Sequence, residues 1–320
     1  MATSQSEHLI TTNPVVMPSS ATVAAAAAAA VGATLAYFIS RHRLKSRGDT
    51  PARIVLFGDS ITQQSWSVGG WGARLQERYQ RRADVLNRGY SGYNTRWALE
   101  VLNDPTFYDG SDSHVILATI FFGANDASLP QHNMRQHVPL EEYAANLRSI
   151  VRHFRQHCPR AALVLIAPPP VCHEQRLAFQ RERYPHAPSG VLERTNEAAG
   201  EYAAAAARVA VEMGIACVNL WAEMQRAAPA AGWHAFLSDG LHLSEEGNRF
   251  VDEALWRTLR LAHPELVVEA DPRTGSWGNS ATHSDGLQPA APWHDQIDHT
   301  DHLAAFSRAH KRSGGAAHTP

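Results

Sequence analysis

Short apolar runs and longer amphipathic stretches alternate along the middle of the chain. Runs rich in β-branched residues fall at Arg53–Phe57, Asp84–Asn87, Val115–Phe121, Ala162–Ala167 and Ala216–Leu220. Each is too short for a helix, and several are apolar at nearly every position, the pattern of parallel strands covered on both faces. Between them, Leu140, Tyr143, Leu147, Ile150, Val151 and Phe154 recur at helical spacing behind Pro139. Glu141 and Glu142 sit in the first turn, where the helix dipole favours negative charge. A second helix is predicted from about Thr195 to Met213, stopping at Gly214. A third starts at Ser244 as N-cap, with Phe250, Val251, Leu255 and Leu259 as its buried stripe. Strand–helix alternation five times over predicts one doubly wound α/β domain.

Both ends break the pattern. From Ala21 to Ile39 there are nineteen residues without a charge, mostly alanine, followed by Arg41, His42, Arg43, Lys45 and Arg47. That length just spans a hydrocarbon core of about 30 Å as a helix, although alanine contributes little to insertion. Residues 1–40 hold no Lys or Arg, unlike a cleaved signal or transit peptide. The segment is read as a membrane anchor with the basic flank, and the rest of the chain, on the cytoplasmic side. A flexible alanine-rich helix is the alternative. At the other end, residues 266–320 are rich in Gly, Ser, Asp and His and carry His283, His294, His299, His302, His310 and His318 without helical pairing. A solvated, disordered tail is expected there, rather than a metal-binding tract.

Composition narrows the function. With 29 Lys+Arg against 31 Asp+Glu the net charge is −2, so the basic face that nucleic-acid binding requires is missing. Cys158, Cys172 and Cys217 are an odd count without C-x-x-C spacing, which argues against a disulfide framework or a structural zinc site. Neither a phosphate loop, an H-E-x-x-H helix nor a dinucleotide fingerprint occurs. Asp59, Asp126 and Asp239 could gather a metal, but aspartates are common at strand ends; no cofactor and no metal are expected.

In a doubly wound sheet, ligands bind beyond the carboxyl ends of the strands. Strand one leads into Gly58-Asp59-Ser60, strand two into the segment from Asn87 to Thr95, and strand three into Gly123-Ala124-Asn125-Asp126. After strand five comes Ser238-Asp239-Gly240-Leu241-His242. Together these offer a serine, glycine-flanked amides, a side-chain amide, and a carboxylate three positions before a histidine. That is the inventory for acyl transfer through a covalent intermediate. Singly, each has an ordinary structural reading: Ser60 as a helix cap, Gly92 as a turn glycine, Asn125-Asp126 and Asp239-Gly240 as turns.

The blocks GDSITQ (58–63), GGWGARL (69–75), NRGYSGYNTRWAL (87–99), FFGANDA (121–127), QHVPLEEYAANL (136–147), PPP (168–170) and SDGLHLSEEG (238–247) change those odds. From Arg53 to Leu259 the chain resembles the SGNH hydrolase superfamily of GDSL esterases and lipases, and within it the isoamyl acetate-hydrolysing esterase group. The resemblance implies a three-layer α/β/α sandwich with a five-stranded parallel sheet of flavodoxin-like type over residues 51–265, between an amino-terminal tail (1–50) and the carboxyl-terminal tail (266–320). It implies Ser60 as nucleophile, His242 as general base and acid, and Asp239 as the carboxylate supporting His242. Ser60 and Gly92 would give backbone amides, and Asn125 a side-chain amide, to the oxyanion hole. The G-x-S-x-G elbow of α/β-hydrolases is absent around Ser60.

The reading is a metal-independent serine esterase acting on a small-molecule ester with a short, acetate-type acyl group. A carbohydrate deacetylase or an acyltransferase of the same fold are the alternatives among enzymes, and a catalytically silent binding protein the alternative outside them. Trp66, Trp71, Tyr93 and Trp97 are candidates to line an acyl or alcohol pocket, against ordinary packing. The segment from Cys172 to Glu193, with Arg176, Arg181, Arg183 and the adjacent Arg194, is long for a strand–helix connection. It would form either a rim over the site or a surface excursion.

Overall fold

The computed structural model describes residues 51–104, 106–107, 114–186, 190–227 and 232–270, with residues 277, 287, 291, 297–298 and 300–301 beyond them. The chain divides between Ser46 and Arg47, and every described residue belongs to the second part. The uncharged run Ala21–Ile39 and the six carboxyl-terminal histidines lie outside the described residues. Among the described residues no helix is long and apolar enough to cross a membrane.

Five strands form one sheet: β1 (Ala52–Gly58), β2 (Ala83–Gly89), β3 (Val115–Phe121), β4 (Ala162–Ala167) and β5 (Ala216–Asn219). All pairings are parallel, in the order β2-β1-β3-β4-β5. This is the flavodoxin-like order, in which the winding reverses between β1 and β3 and opens a crevice at their carboxyl ends. All seven residues of β3 are buried, as its unbroken apolar run requires. The edge strand β2 is the least enclosed of the long strands.

The described helices are α1 (Ser60–Gln63), α2 (Trp71–Arg78), α3 (Thr95–Asn103), α4 (Pro130–Asn133), α5 (Leu140–His157), α6 (His173–Arg183), α7 (Asn196–Met213), α8 (Leu220–Arg226) and α9 (Glu245–Ala262). Because strand side chains alternate, Val55 and Phe57 enter a core shared with α3, α5 and α7, including Leu102, Leu147, Phe154 and Val209. On the opposite face α2 packs with α9, and Gly72 of α2 lies against Leu56. The sheet is thus covered on both sides, as the α/β reading requires.

The three helices legible in the sequence hold with small adjustments. Thr195 caps α7 through Ala198 N (3.1 Å), and Gly214 ends it at φ +59°. Ser244 caps α9, accepting from Gly247 N at 3.1 Å. Phe250 departs from the predicted stripe: it is half-buried and packs on Phe236, while Ala254 and Trp256 join the buried face. Packing also continues beyond residue 265. Leu266 and Val268 are buried, Tyr79 donates to Leu266 O (2.6 Å), and the Arg78 guanidinium lies 4.7 Å from the rings of both Trp256 and Trp277. None of the three cysteines forms a disulfide; Cys158 is buried and the other two are half-buried.

Candidate active site

β1 ends at Gly58, and Asp59 caps the short helix α1 by accepting from Ile61 N at 2.9 Å. The cap turns the chain so that Ser60 opens the helix, buried at 6% exposure beside the carboxyl end of β3. Across the crevice, an antiparallel bridge between Leu237 and Leu243 closes a loop over Ser238–His242, with Ser238 N donating to His242 O (2.8 Å). Gly240 makes this loop feasible. Its φ is +82°, and a Cβ there would lie 2.4 Å from Cys172 O.

The loop brings His242 to Ser60, 182 positions earlier in the chain. His242 Nε2 is 2.9 Å from Ser60 Oγ, and Nδ1 is 2.8 Å from Asp239 Oδ2. Asp239 Oδ1 meanwhile accepts from Leu241 N (3.0 Å) and His242 N (2.8 Å). Burial pushes the Asp239 carboxyl up, but the His242 side chain and amide, together with Arg176, hold it well below the usual carboxylate range. Asp239 is therefore an anion that fixes one imidazole nitrogen and leaves the other facing the hydroxyl.

The segments after β2 and β3 complete the crevice. Gly92 adopts φ +80° in the turn following β2. Asn125, almost fully buried, donates from Nδ2 to Tyr93 O at 2.8 Å, with Asp59 Oδ2 at 3.5 Å. Its Oδ1 accepts from Gln136 Nε2 (3.1 Å) and Arg194 Nη2 (3.1 Å). Asp59 and Asp126 are fully buried, and burial pushes their carboxyls up to about 6 and about 7 respectively. Asp126 takes no part in the Ser60–His242 chain. Its Oδ1 accepts from Thr95 N (2.9 Å) and Thr95 Oγ1 (2.5 Å), tying the β3 loop to α3. Among the described residues, no three His, Cys, Asp or Glu side chains group as metal ligands.

The structure therefore joins Ser60, His242 and Asp239 directly, links Gly92 to Asn125 through Gln136, and sets Asn125 beside Asp59, the residue before Ser60. A geometric network runs behind them that the sequence reading did not assign. Arg176 donates to Asp239 Oδ2 (3.0 Å) and Glu193 Oε1 (2.9 Å); Arg194 also binds Glu193, and donates to Ala124 O (2.9 Å) and Gln136 Oε1 (2.7 Å). The segment from Cys172 is thus neither rim nor surface excursion at these points, since Arg176 and Arg194 are buried. Their only sequence signal was cation density in an over-long connection.

Of the candidate pocket aromatics, Trp71 is fully buried core and Trp66 is half-exposed. Tyr93 and Trp97 do line a cleft of about 660 Å³, with Arg88, Tyr90, Glu100 and Phe107. The cleft flanks the Gly92 turn, but Ser60, Asp239 and His242 are not part of its lining.

Residues 56–250 match the GDSL-like lipase/acylhydrolase family. The chain belongs to that family. An isoamyl acetate-hydrolyzing esterase 1 homolog of Bos taurus is 49% identical over 208 residues, covering 64% of this chain and 80% of the relative. A GDSL esterase/lipase of Arabidopsis thaliana is 48% identical over 211 residues, covering 65% and 86%. An acetylxylan esterase from Geobacillus stearothermophilus shares the fold, with TM-score 0.50 and 20% identity over 68% of this chain and 96% of that one. As a GDSL hydrolase, the protein is a carboxylic ester hydrolase.

Proposed function

We propose that the protein hydrolyses short-chain esters, acetates of small alcohols foremost, through an acyl-enzyme on Ser60. The observation carrying this reading is the unbroken chain Ser60 Oγ–His242–Asp239, with contacts of 2.9 and 2.8 Å. A serine hydroxyl is a weak nucleophile at neutral pH and needs an adjacent imidazole to accept its proton. Ser60 Oγ attacks the ester carbonyl as its proton passes to His242 Nε2, and Asp239 stabilises the imidazolium. The resulting oxyanion takes hydrogen bonds from the Ser60 and Gly92 amides and from Asn125 Nδ2, each worth about 3 kcal/mol in the transition state. Collapse breaks the ester C–O bond, and His242 returns the proton to the departing alcohol. Water then gives a proton to His242 and attacks the acyl carbon, releasing the acid and restoring Ser60.

The short acyl preference draws on relatives at 45–49% identity named as isoamyl acetate-hydrolyzing esterase homologs. p-Nitrophenyl acetate should turn over faster than the butyrate, and the palmitate slowest; the reverse order would refute the acetate assignment. Ser60→Ala should cut kcat by about a millionfold, as loss of the serine does in a comparable triad. The variant should also lose covalent labelling by a fluorophosphonate, and labelling that persisted would place the nucleophile elsewhere.

A further inference from the structure

An oxyanion hole works only if its donors are aimed before the charge develops, since reorientation during reaction would cost the stabilisation it offers. A side-chain amide is the hardest donor to aim, because rotation by half a turn exchanges its N–H₂ for a carbonyl oxygen of nearly the same shape. We propose that Gln136 and Arg194 are positioning residues: both lock the Asn125 carboxamide in the donating arrangement, and Gln136 also pins the carbonyl of Gly92 and so fixes the turn that aims the Gly92 amide. This inference rests on reading Asn125 and Gly92 as the oxyanion donors.

The hydrogen-bond chemistry permits only one orientation of Asn125. Its Oδ1 faces Arg194 Nη2, and a guanidinium has no acceptor. Its Nδ2 faces Tyr93 O, which has no donor. Turning the amide over would set N–H₂ against the guanidinium and carbonyl against carbonyl, with Asn125 almost fully buried. Gln136 is fixed by the same logic. Its Oε1 takes hydrogen bonds from Arg194 Nη2 (2.7 Å) and Asn133 Nδ2 (2.6 Å), so Nε2 must point at Gly92 O (2.9 Å) and Asn125 Oδ1 (3.1 Å).

One Gln136 nitrogen thereby ties together, through the Gly92 carbonyl and the Asn125 side-chain oxygen, the segments that follow β2 and β3. The backbone at position 92 has φ +80°, which favours glycine in the turn that Gln136 holds. Arg194 adds a second anchor through Ala124 O (2.9 Å), the peptide just before Asn125. Glu193 answers its charge and links onward through Arg176 to Asp239. The same network therefore touches the proposed oxyanion donors and the carboxylate behind His242.

Gln136→Met removes the donor while keeping side-chain length, and Gln136 is half-exposed, so this variant is the primary test. Misalignment of a catalytic group by about 1 Å costs about a hundredfold. Gln136→Met should lower kcat ten- to a hundredfold on p-nitrophenyl acetate, with KM changed by less than about twofold. In an Asn125→Ala background the same change should cost several-fold less, because one of its two targets is already gone. Gln136→Glu retains the acceptor but not the donor, and should be no better than Gln136→Met. Arg194→Met should show the same non-additivity wherever it folds, judged by an unchanged thermal melting profile.

Equal losses in both backgrounds would overturn the proposal, as would a raised KM at constant kcat. If Asn125→Ala itself left kcat intact, the oxyanion reading beneath it would fail instead. If Asn125→Ala lowered kcat and Gln136→Met did not, only the positioning role would be lost.

Discussion

Asn125 Nδ2 carries two hydrogens, and Tyr93 O takes one of them at 2.8 Å. On the proposed mechanism the other, which has only the long 3.5 Å contact to Asp59 Oδ2, serves charge that exists only in the transition state, so its removal acts on kcat and not on substrate binding. Asn125→Ala should lower kcat by roughly two to three powers of ten at nearly constant KM. Steady-state kinetics on a soluble acetate ester check this. A rise in KM at constant kcat would make Asn125 a substrate-binding group. At this scale the sequence was legible where chemistry clusters at strand ends: Ser60, Gly92, Asn125, Asp239 and His242 all sit within a few residues of β1, β2, β3 or the loop preceding α9. Gln136, Arg176 and Arg194 were not legible. A buried guanidinium is defined by the carbonyls and carboxylates that surround it, and those of Arg194 come from positions 124, 125, 136 and 193. No local pattern announces such a set.

Between elements, the buried Asp126 joins the end of β3 to the first turn of α3 through Thr95. Its Oδ1 accepts both Thr95 donors, while Oδ2 is buried with no hydrogen-bond partner among the described residues. Burial pushes the carboxyl up to about 7 from an ordinary 3.8. Below about 3.8 the group is protonated in folded and unfolded chains alike. Between about 3.8 and 7 the folded chain holds a proton that the unfolded one has lost, so stability falls as pH rises through this window. Asp59, pushed up to about 6, adds a slope of the same sign. The depressed Asp239 acts oppositely, but only as pH falls below the ordinary carboxylate range. Asp126→Asn keeps the acceptor for Thr95 and cannot ionise. It should match the parent near pH 4 and exceed it at pH 8 by on the order of a few kcal/mol. Urea unfolding at the two values measures this, and a variant weaker than the parent at pH 8 would show that Asp126 stays ionised at no cost. The elements themselves were legible in proportion to length and burial. Strands buried on both faces and the eighteen-residue helices α5, α7 and α9 announce themselves by period. α1 and α4, at four residues each, are too short to carry one.

Across the whole molecule, the hydrolase fold occupies the chain from Ala52, and every residue of the Ser60–His242 site lies beyond the amino-terminal segment. We propose that residues 21–39 hold this domain on the cytoplasmic face of a membrane. The run is uncharged and nineteen residues long, just enough to span, and the basic cluster from Arg41 to Arg47 follows it at once. With no Lys or Arg in residues 1–40, the positive-inside rule sets the basic flank, and the domain after it, in the cytoplasm. Val23, Val31, Leu35, Phe38 and Ile39 supply the insertion energy that alanine does not. Full-length protein expressed in cells should remain in the membrane pellet after carbonate extraction, with its hydrolase domain digested by protease added from the cytoplasmic side. Deleting residues 1–48 should release soluble protein whose kcat/KM on p-nitrophenyl acetate is unchanged, since no part of the site is removed. Release of the full chain by carbonate would show that the alanine-rich run does not insert. Retention with the domain protected inside vesicles would keep the anchor and reverse its orientation, placing the esterase on the lumenal side against the charge rule.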